Sequence, residues 1–530
     1  MIATDPTGLM IRSVLGGLAA ALALTAACAA APVRTDGGLV AGVPDKGVEV
    51  FKGVPFAAPP VGDLRWRPPA PAARWTGVRK ADRYAPGCEP IPLPNALPGA
   101  PKVPTSEDCL YLNVWTPAKS PSARLPVMVW IYGGGFAAGA TSYPAYDGAR
   151  LARRGVVVVS VAYRLGPFGY LAHPELSAES PSHGSGTYGL MDQIAGLEWV
   201  RRNIGRFGGD PQRVTIFGES AGGIAVSMLA ASPRARGLFQ RAICESGGSF
   251  APAKAGKEGG ENVPTLGAAE AQGVDFLHTL GVASIGAARK LPTEAIVKAT
   301  KPGLDGFWPA LDGDVMPASG YLLYQSGRYN DVPALIGSNA DEGGLLVPQI
   351  GADAFKAQVR QGYGDYAGKI LQAYPAGSDA QAWRSAKDLM RDYAFGWPTW
   401  TWARLQSRTG KSPVFVYYFT HRPPYPDIPL FKGVGARHGG EIAYVFGNGE
   451  PRWSAADRAL SETIMRAWVN FAATGDPNGP GLPPWPRFSE AKPRAMKLDA
   501  EPGAIPFPNL TQLQVLEGYY AWRRSLAAAR

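Results

Sequence analysis

Short apolar runs punctuated by Gly and Pro constrain this chain more than any other feature of its sequence. Six of them, residues 126–132, 156–163, 213–217, 241–244, 332–337 and 413–419, are rich in β-branched and aromatic side chains and read as buried strands. Between the second and third, Leu190, Ile194, Leu197, Val200 and Ile204 fall three to four residues apart, which makes residues 189–207 an amphipathic helix. Alternating strands and helices specify an α/β fold: a mostly parallel sheet with helices on both faces. Nothing in the sequence divides the remainder, so residues 32–530 read as one domain with long insertions. The clearest insertions are a Pro-rich excursion over residues 85–105 and a Gly/Lys/Glu-rich loop over residues 251–263.

Composition removes several classes of function. With 530 residues, 46% hydrophobic and 18% charged, the chain is not a disordered protein. Its net charge of +10 raises the question of nucleic acid. However, the basic clusters Arg153-Arg154, Arg201-Arg202 and Arg523-Arg524 are isolated pairs, and no stripe of Lys and Arg interleaved with aromatics exists to track a phosphate backbone. No nucleic-acid partner is therefore expected. The four cysteines, Cys28, Cys88, Cys109 and Cys244, show no C-x-x-C spacing, so neither a metal site nor a redox dithiol is expected.

Residues 1–31 read as a signal peptide. Residues 14–31 carry no charge, follow Arg12 and are rich in Ala and Leu. Ala27 and Ala29 offer a small-residue cleavage site, and Met10 offers an alternative start. Leu24-Thr25-Ala26-Ala27-Cys28 is an imperfect lipobox, with Thr where an aliphatic residue is preferred, so export to the periplasm or exterior is favoured over a lipid anchor on Cys28. The stretch is barely long enough for a membrane span and Ala-rich rather than Leu/Ile-rich, and no second long apolar run follows it.

The chemistry begins at Gly218-Glu219-Ser220-Ala221-Gly222, which follows one expected strand and precedes a helix-like stretch over residues 224–231. This is G-x-S-x-G in the strand–turn–helix setting that thrusts a serine hydroxyl outward. Tyr132-Gly133-Gly134-Gly135-Phe136, directly after another strand, supplies amides that a substrate oxygen can approach unobstructed. No phosphate-loop motif accompanies these glycines.

A serine nucleophile needs a base, and the chain has five histidines: His173, His183, His278, His421 and His438. In α/β-hydrolases the order is serine, acid, histidine, which leaves the last three. His278 lies in a helix-like apolar stretch and His421 ends a strand, whereas His438 sits among small residues suited to presenting an imidazole. For the acid, Asp341-Glu342-Gly343 follows the strand over 332–337, and either carboxylate could serve on spacing alone.

Together these residues resemble the type-B carboxylesterases, the cholinesterase-like branch of the α/β-hydrolases, over residues 37–488. Further segments carry the likeness: Glu107-Asp108-Cys109-Leu110-Tyr111-Leu112-Asn113-Val114, Phe51-Lys52-Gly53-Val54-Pro55-Phe56-Ala57, Phe207-Gly208-Gly209-Asp210-Pro211, and Thr474-Gly475-Asp476-Pro477-Asn478. The resemblance implies Ser220 as nucleophile, Glu342 as acid and His438 as base. It also implies oxyanion donors at Gly134, Gly135 and Ala221, and a disulfide between Cys88 and Cys109. No cofactor is implied, and the partner is a small-molecule ester; oligomeric state is left open.

Two departures narrow the expectation. Ala162 stands where the family usually has Asn. No Trp lies between Cys88 and Cys109, so the aromatic base that holds a choline headgroup is missing. Polyanionic esters, such as the tricarboxylate conjugates of mycotoxins, remain an alternative substrate class, and a non-catalytic binding or adhesion module is the reading of another kind. A histidine base with its ordinary pKa predicts activity that falls below about pH 6.5. Half or more of the aromatics Tyr393, Phe395, Trp397, Trp400 and Trp402 are expected to be core, and the resemblance implies that one or two of them reach the pocket wall.

Overall fold

A computed structural model describes residues 31–91, 102–255, 263–303, 306–449 and 451–528. The expected signal peptide, apart from its last residue, and Cys28 lie outside them.

Eleven strands form one sheet: β1 (Val43–Asp45), β2 (Val48–Pro55), β3 (Tyr111–Thr116), β4 (Leu125–Ile131), β5 (Val157–Val161), β6 (Gly209–Glu219), β7 (Arg241–Glu245), β8 (Ala334–Asn339), β9 (Val414–Phe419), β10 (Arg494–Leu498) and β11 (Gly503–Pro506). Their spatial order is β11-β10-β9-β8-β7-β6-β4-β5-β3-β2-β1. From β10 to β5 all neighbours are parallel, and antiparallel pairs flank that block on both sides. A small separate sheet joins Val33–Arg34, Leu39–Ala41 and Val78–Lys80.

The six expected strands are β4 to β9, which are buried along nearly their whole length. β6 starts four residues earlier than its apolar run, because Gly209 pairs with Leu125 ahead of a register shift. The five strands with no clear sequence signal lie at the margins, and some carry residues that weaken a strand signal, such as Pro44 in β1, Gly53 in β2 and Gly503 in β11.

Four helices matter for the site: α1 (Tyr188–Asn203), α2 (Ala221–Ala231), α3 (Trp397–Thr409) and α4 (Ala455–Thr474). α1 is the expected amphipathic helix, continued by a 3₁₀ turn over Ile204–Phe207. Adjacent residues of β7 show that α2 and α4 cover opposite faces, since successive strand side chains point to opposite sides. Cys244 turns its sulfur to α2, where it meets the Gly223 carbonyl at 3.4 Å. Glu245 turns the other way and accepts a hydrogen bond from Trp468 Nε1 of α4 at 2.8 Å.

Cys88 and Cys109 form a disulfide at the base of the Pro-rich excursion. Among the described residues no helix is long and apolar enough to cross a membrane. The parallel block directs the carboxyl ends of β4 to β9 to one edge. There β4 has β5 on one side and β6 on the other, so the chain reverses its direction of winding between β4 and β6. Crevices at such switch points are where open α/β sheets bind ligands.

Candidate active site

Ser220 stands at that switch point, between the end of β6 and the first residue of α2. Its backbone has φ 57° and ψ −126°, a conformation that a non-glycine residue adopts only when its surroundings impose it. The surroundings do so from both sides: Ser220 N–H donates to the Glu245 carbonyl of β7 at 2.9 Å, and the Ser220 carbonyl accepts from Ile224 N–H of α2 at 2.8 Å. The turn closes tightly enough that a Cβ on Gly218 would lie 2.5 Å from the Ile131 carbonyl oxygen, so glycine is required there.

The glycine loop after β4 comes against the same turn, since a Cβ on Gly133 would lie 2.8 Å from Ser220 Cβ. Gly134 and Gly135 take φ of 109° and 64°. The N–H groups of Gly134, Gly135 and Ala221 find no acceptor among the described residues, and Ala221 occupies a first-turn helix position where the amide has no partner within the helix. The loop that carries Gly134 and Gly135 therefore lies against the turn of Ser220 and Ala221.

Glu342 and His438 meet behind it. Glu342 Oε2 lies 2.6 Å from His438 Nδ1, while its other oxygen accepts from Ser246 Oγ at 2.6 Å and from Asn339 N–H at 2.7 Å. Asp341, the neighbour that spacing could not exclude, turns away to accept from Gly435 N–H at 2.7 Å and to pair with Lys387. The other histidines are engaged elsewhere or exposed: His421 lies 2.8 Å from Asp457, His173 accepts from Glu175 N–H, and His278 and His183 face solvent.

Three further glutamates gather at this point, and sequence reasoning missed all of them. Glu219, Glu245 and Glu441 are buried at the ends of β6 and β7 and before the short helix Ile442–Phe446. Glu441 accepts from Asn339 Nδ2, and Glu219 Oε1 lies 3.2 Å from His438 Nε2 without the alignment of a hydrogen bond. Burial pulls the imidazole pKa down, but the charges of Glu219 and Glu342, the hydrogen bond to Glu342 and the charge of Glu441 outweigh it and raise His438 to about 9. Burial, together with the charges of Glu219 and Glu342, lifts Glu441 to about 8. The ordinary value of about 6.5 assumed from sequence is therefore corrected upward.

Among the aromatic cluster, Phe395 stacks on the His438 ring with centroids 4.5 Å apart and an interplanar angle of 25°. It belongs to a single π-helical turn, Asp392–Gly396, leading into α3. Its neighbours are structural: Trp397 donates to Glu517, Trp402 donates to Gln406, and Trp400 lies under Arg404. Among the described residues no group of His, Cys, Asp and Glu side chains is arranged to hold a metal ion.

The Carboxylesterase family model matches residues 29–515. The fumonisin B1 esterase of Sphingopyxis macrogoltabida is 40% identical over 86% of this chain and 84% of its own length. The para-nitrobenzyl esterase of Bacillus subtilis is 38% identical over 88% of this chain and 95% of its own. A solved PNB esterase structure superposes with a TM-score of 0.78 and 36% identity, covering 92% of this chain and 99% of its own, which gives the architecture above as an α/β-hydrolase fold.

Proposed function

This chain belongs to the carboxylesterase family and is a carboxylic-ester hydrolase, and from that premise we propose that it acts through an acyl-enzyme on a Ser220–His438–Glu342 triad. The observation that carries this reading is the 2.6 Å contact between Glu342 and His438 Nδ1, behind a serine held at φ 57°. With Nδ1–H donated to Glu342, Nε2 is the free-base nitrogen that takes the Ser220 proton.

In this mechanism Ser220 Oγ attacks the ester carbonyl as its proton passes to Nε2. The carbonyl electron pair moves onto the oxygen, which settles on the amides of Gly134, Gly135 and Ala221. The imidazolium then protonates the departing alcohol. Water, activated by the same nitrogen, releases the carboxylic acid and restores Ser220. The disulfide and the apolar leader together support export as the setting of this activity.

Hydrolysis of p-nitrophenyl esters from acetate to palmitate by wild type and Ser220→Ala tests the proposal. Turnover is expected to drop by about 10⁶-fold in the variant. Substantial residual turnover in a pure sample removes Ser220 from the role. A second reading, esters of polycarboxylic acids, is favoured by the net charge of +10 and by the 40% identity to an esterase that bears the name of fumonisin B1.

A further inference from the structure

The loop that delivers His438 brings two guanidiniums with it. From Arg422 to Arg437 the chain carries three cations, Arg422, Lys432 and Arg437, against one carboxylate, Asp427. Arg437 immediately precedes the histidine and is partly buried. Its Nη1 donates to the His438 carbonyl at 2.8 Å, while its Nε is buried with no acceptor among the described residues. Arg422 donates from Nε to the Val434 carbonyl at 2.9 Å. Both side chains lie over the ring of Tyr425, at 5.1 Å for Arg422 and 5.7 Å for Arg437. Phe431 stacks on that ring with centroids 4.8 Å apart and an interplanar angle of 11°, so one face is taken and the two guanidiniums share the other.

Two like charges on one ring face call for a counter-charge, and the described residues do not provide one. Asp341, whose backbone bridges to Arg437, is occupied by Gly435 N–H at 2.7 Å and by Lys387 at 3.8 Å. A guanidinium with a free Nε–H offers the planar fork that a carboxylate fits. Position ties this fork to the catalytic centre. Asn339 Nδ2 donates to the Arg437 carbonyl at 2.8 Å and Asn339 N–H donates to Glu342, so one residue holds both the arginine and the acid. Burial lifts the carboxyl of Glu219, the neighbour of Ser220, to about 7, and the charges that act on it are those of His438, Glu342 and Arg437.

We propose that Arg437, with Arg422 beside it, binds a free carboxylate of the substrate, so that the preferred esters are those of di- or polycarboxylic acids with one acid group left ionised. This deepens the second reading above and rests on the site built around Ser220. No bond to the arginines forms or breaks: the carboxylate pairs with the fork while the ester carbonyl is held at the serine.

Two matched pairs of esters test the proposal: mono-p-nitrobenzyl adipate against p-nitrobenzyl hexanoate, and mono-p-nitrobenzyl succinate against p-nitrobenzyl butyrate. Within each pair a carboxylate replaces a methyl group at the end of the same chain. The readout is the ratio of kcat/KM, anionic over neutral, from the p-nitrobenzyl alcohol released. Wild type is expected to give a ratio above one in at least one pair. Arg437→Gln is expected to lower it about tenfold or more, chiefly by raising KM for the anionic ester. Arg437→Lys, which keeps the charge without the fork, is expected to fall between the two. Arg437→Gln removes one charge from a net +10, so a change of that size marks contact and not long-range attraction. A wild-type ratio at or below one in both pairs removes the polycarboxylate reading and the proposal with it; a ratio above one that Arg437→Gln leaves unchanged overturns the proposal alone. Should Arg437→Gln not fold, Arg422→Glu decides, since that side chain is exposed: a ratio several-fold lower is expected, and an unchanged one overturns the assignment. Ser220→Ala, assayed beside these, guards the premise. Turnover surviving there removes the triad reading, whereas the ratio compares two esters in one enzyme and judges Arg437 whichever group is the nucleophile.

Discussion

A partly buried imidazole between two carboxylates binds its proton more tightly than one in water, and at His438 this outweighs the opposing effect of desolvation. The base must be neutral to accept the serine proton, so kcat/KM is expected to fall as pH drops through a value above the ordinary histidine midpoint of about 6.5. A stopped-rate pH profile on a short-chain ester, with chemistry limiting, checks it. An acid limb at or below 6.5 contradicts the charge environment described here. The sequence led to Ser220, Glu342 and His438 through local motifs, each a few residues long. Spacing alone left Asp341 and Glu342 undecided and only the family resemblance pointed to Glu342, because it is the path of the loop from Gly433 to His438 that directs one to the imidazole and the other to Gly435. Glu219 was passed over for a similar reason. It fills the variable position of G-x-S-x-G, and its closeness to His438 is made by contacts more than 200 residues apart in sequence.

At the scale of the element, the turn between β6 and α2 is the most demanding piece of backbone in the fold. Gly218 has no room for a methyl group beside the Ile131 carbonyl, which backbone pairing between β4 and β6 fixes in place. Gly218→Ala is therefore expected to lose about 1–3 kcal/mol of stability, in the range of overpacked interiors, together with most of its activity. Urea unfolding followed by fluorescence measures the loss, and an unchanged midpoint shows that the turn can give way. Strands β4 to β9 and helix α1 were legible because each buries a side-chain pattern that its own composition declares. β1 to β3, β10 and β11 were not: β1, β2 and β11 carry Pro or Gly, β3 and β10 break their apolar runs with Asn113 and with Arg494 and Lys497, and the pairing of each is supplied by a neighbour already in the sheet. The π-helical turn that sets Phe395 on the imidazole had no readable signal, as one extra residue in a helix changes no pattern that a period of 3.6 can reveal.

The whole molecule carries a net charge of +10, and such a field raises the encounter rate of anions more than that of neutral esters. If polycarboxylate esters are the natural class, kcat/KM on a carboxylate-bearing ester falls as salt rises from about 0.01 to 0.1 M, over which the screening length shrinks from about 30 to 10 Å. A neutral ester of the same size serves as the control, and equal salt dependence for the two counts against the anionic class. The claim on which all of this depends is that Ser220 forms a covalent bond to the acyl group. Intact-protein mass spectrometry after reaction with a fluorophosphonate, followed by peptide mapping, tests it most directly. One adduct on the peptide containing Ser220, absent from Ser220→Ala, is the predicted result; no adduct, or one mapped to another residue, contradicts the account.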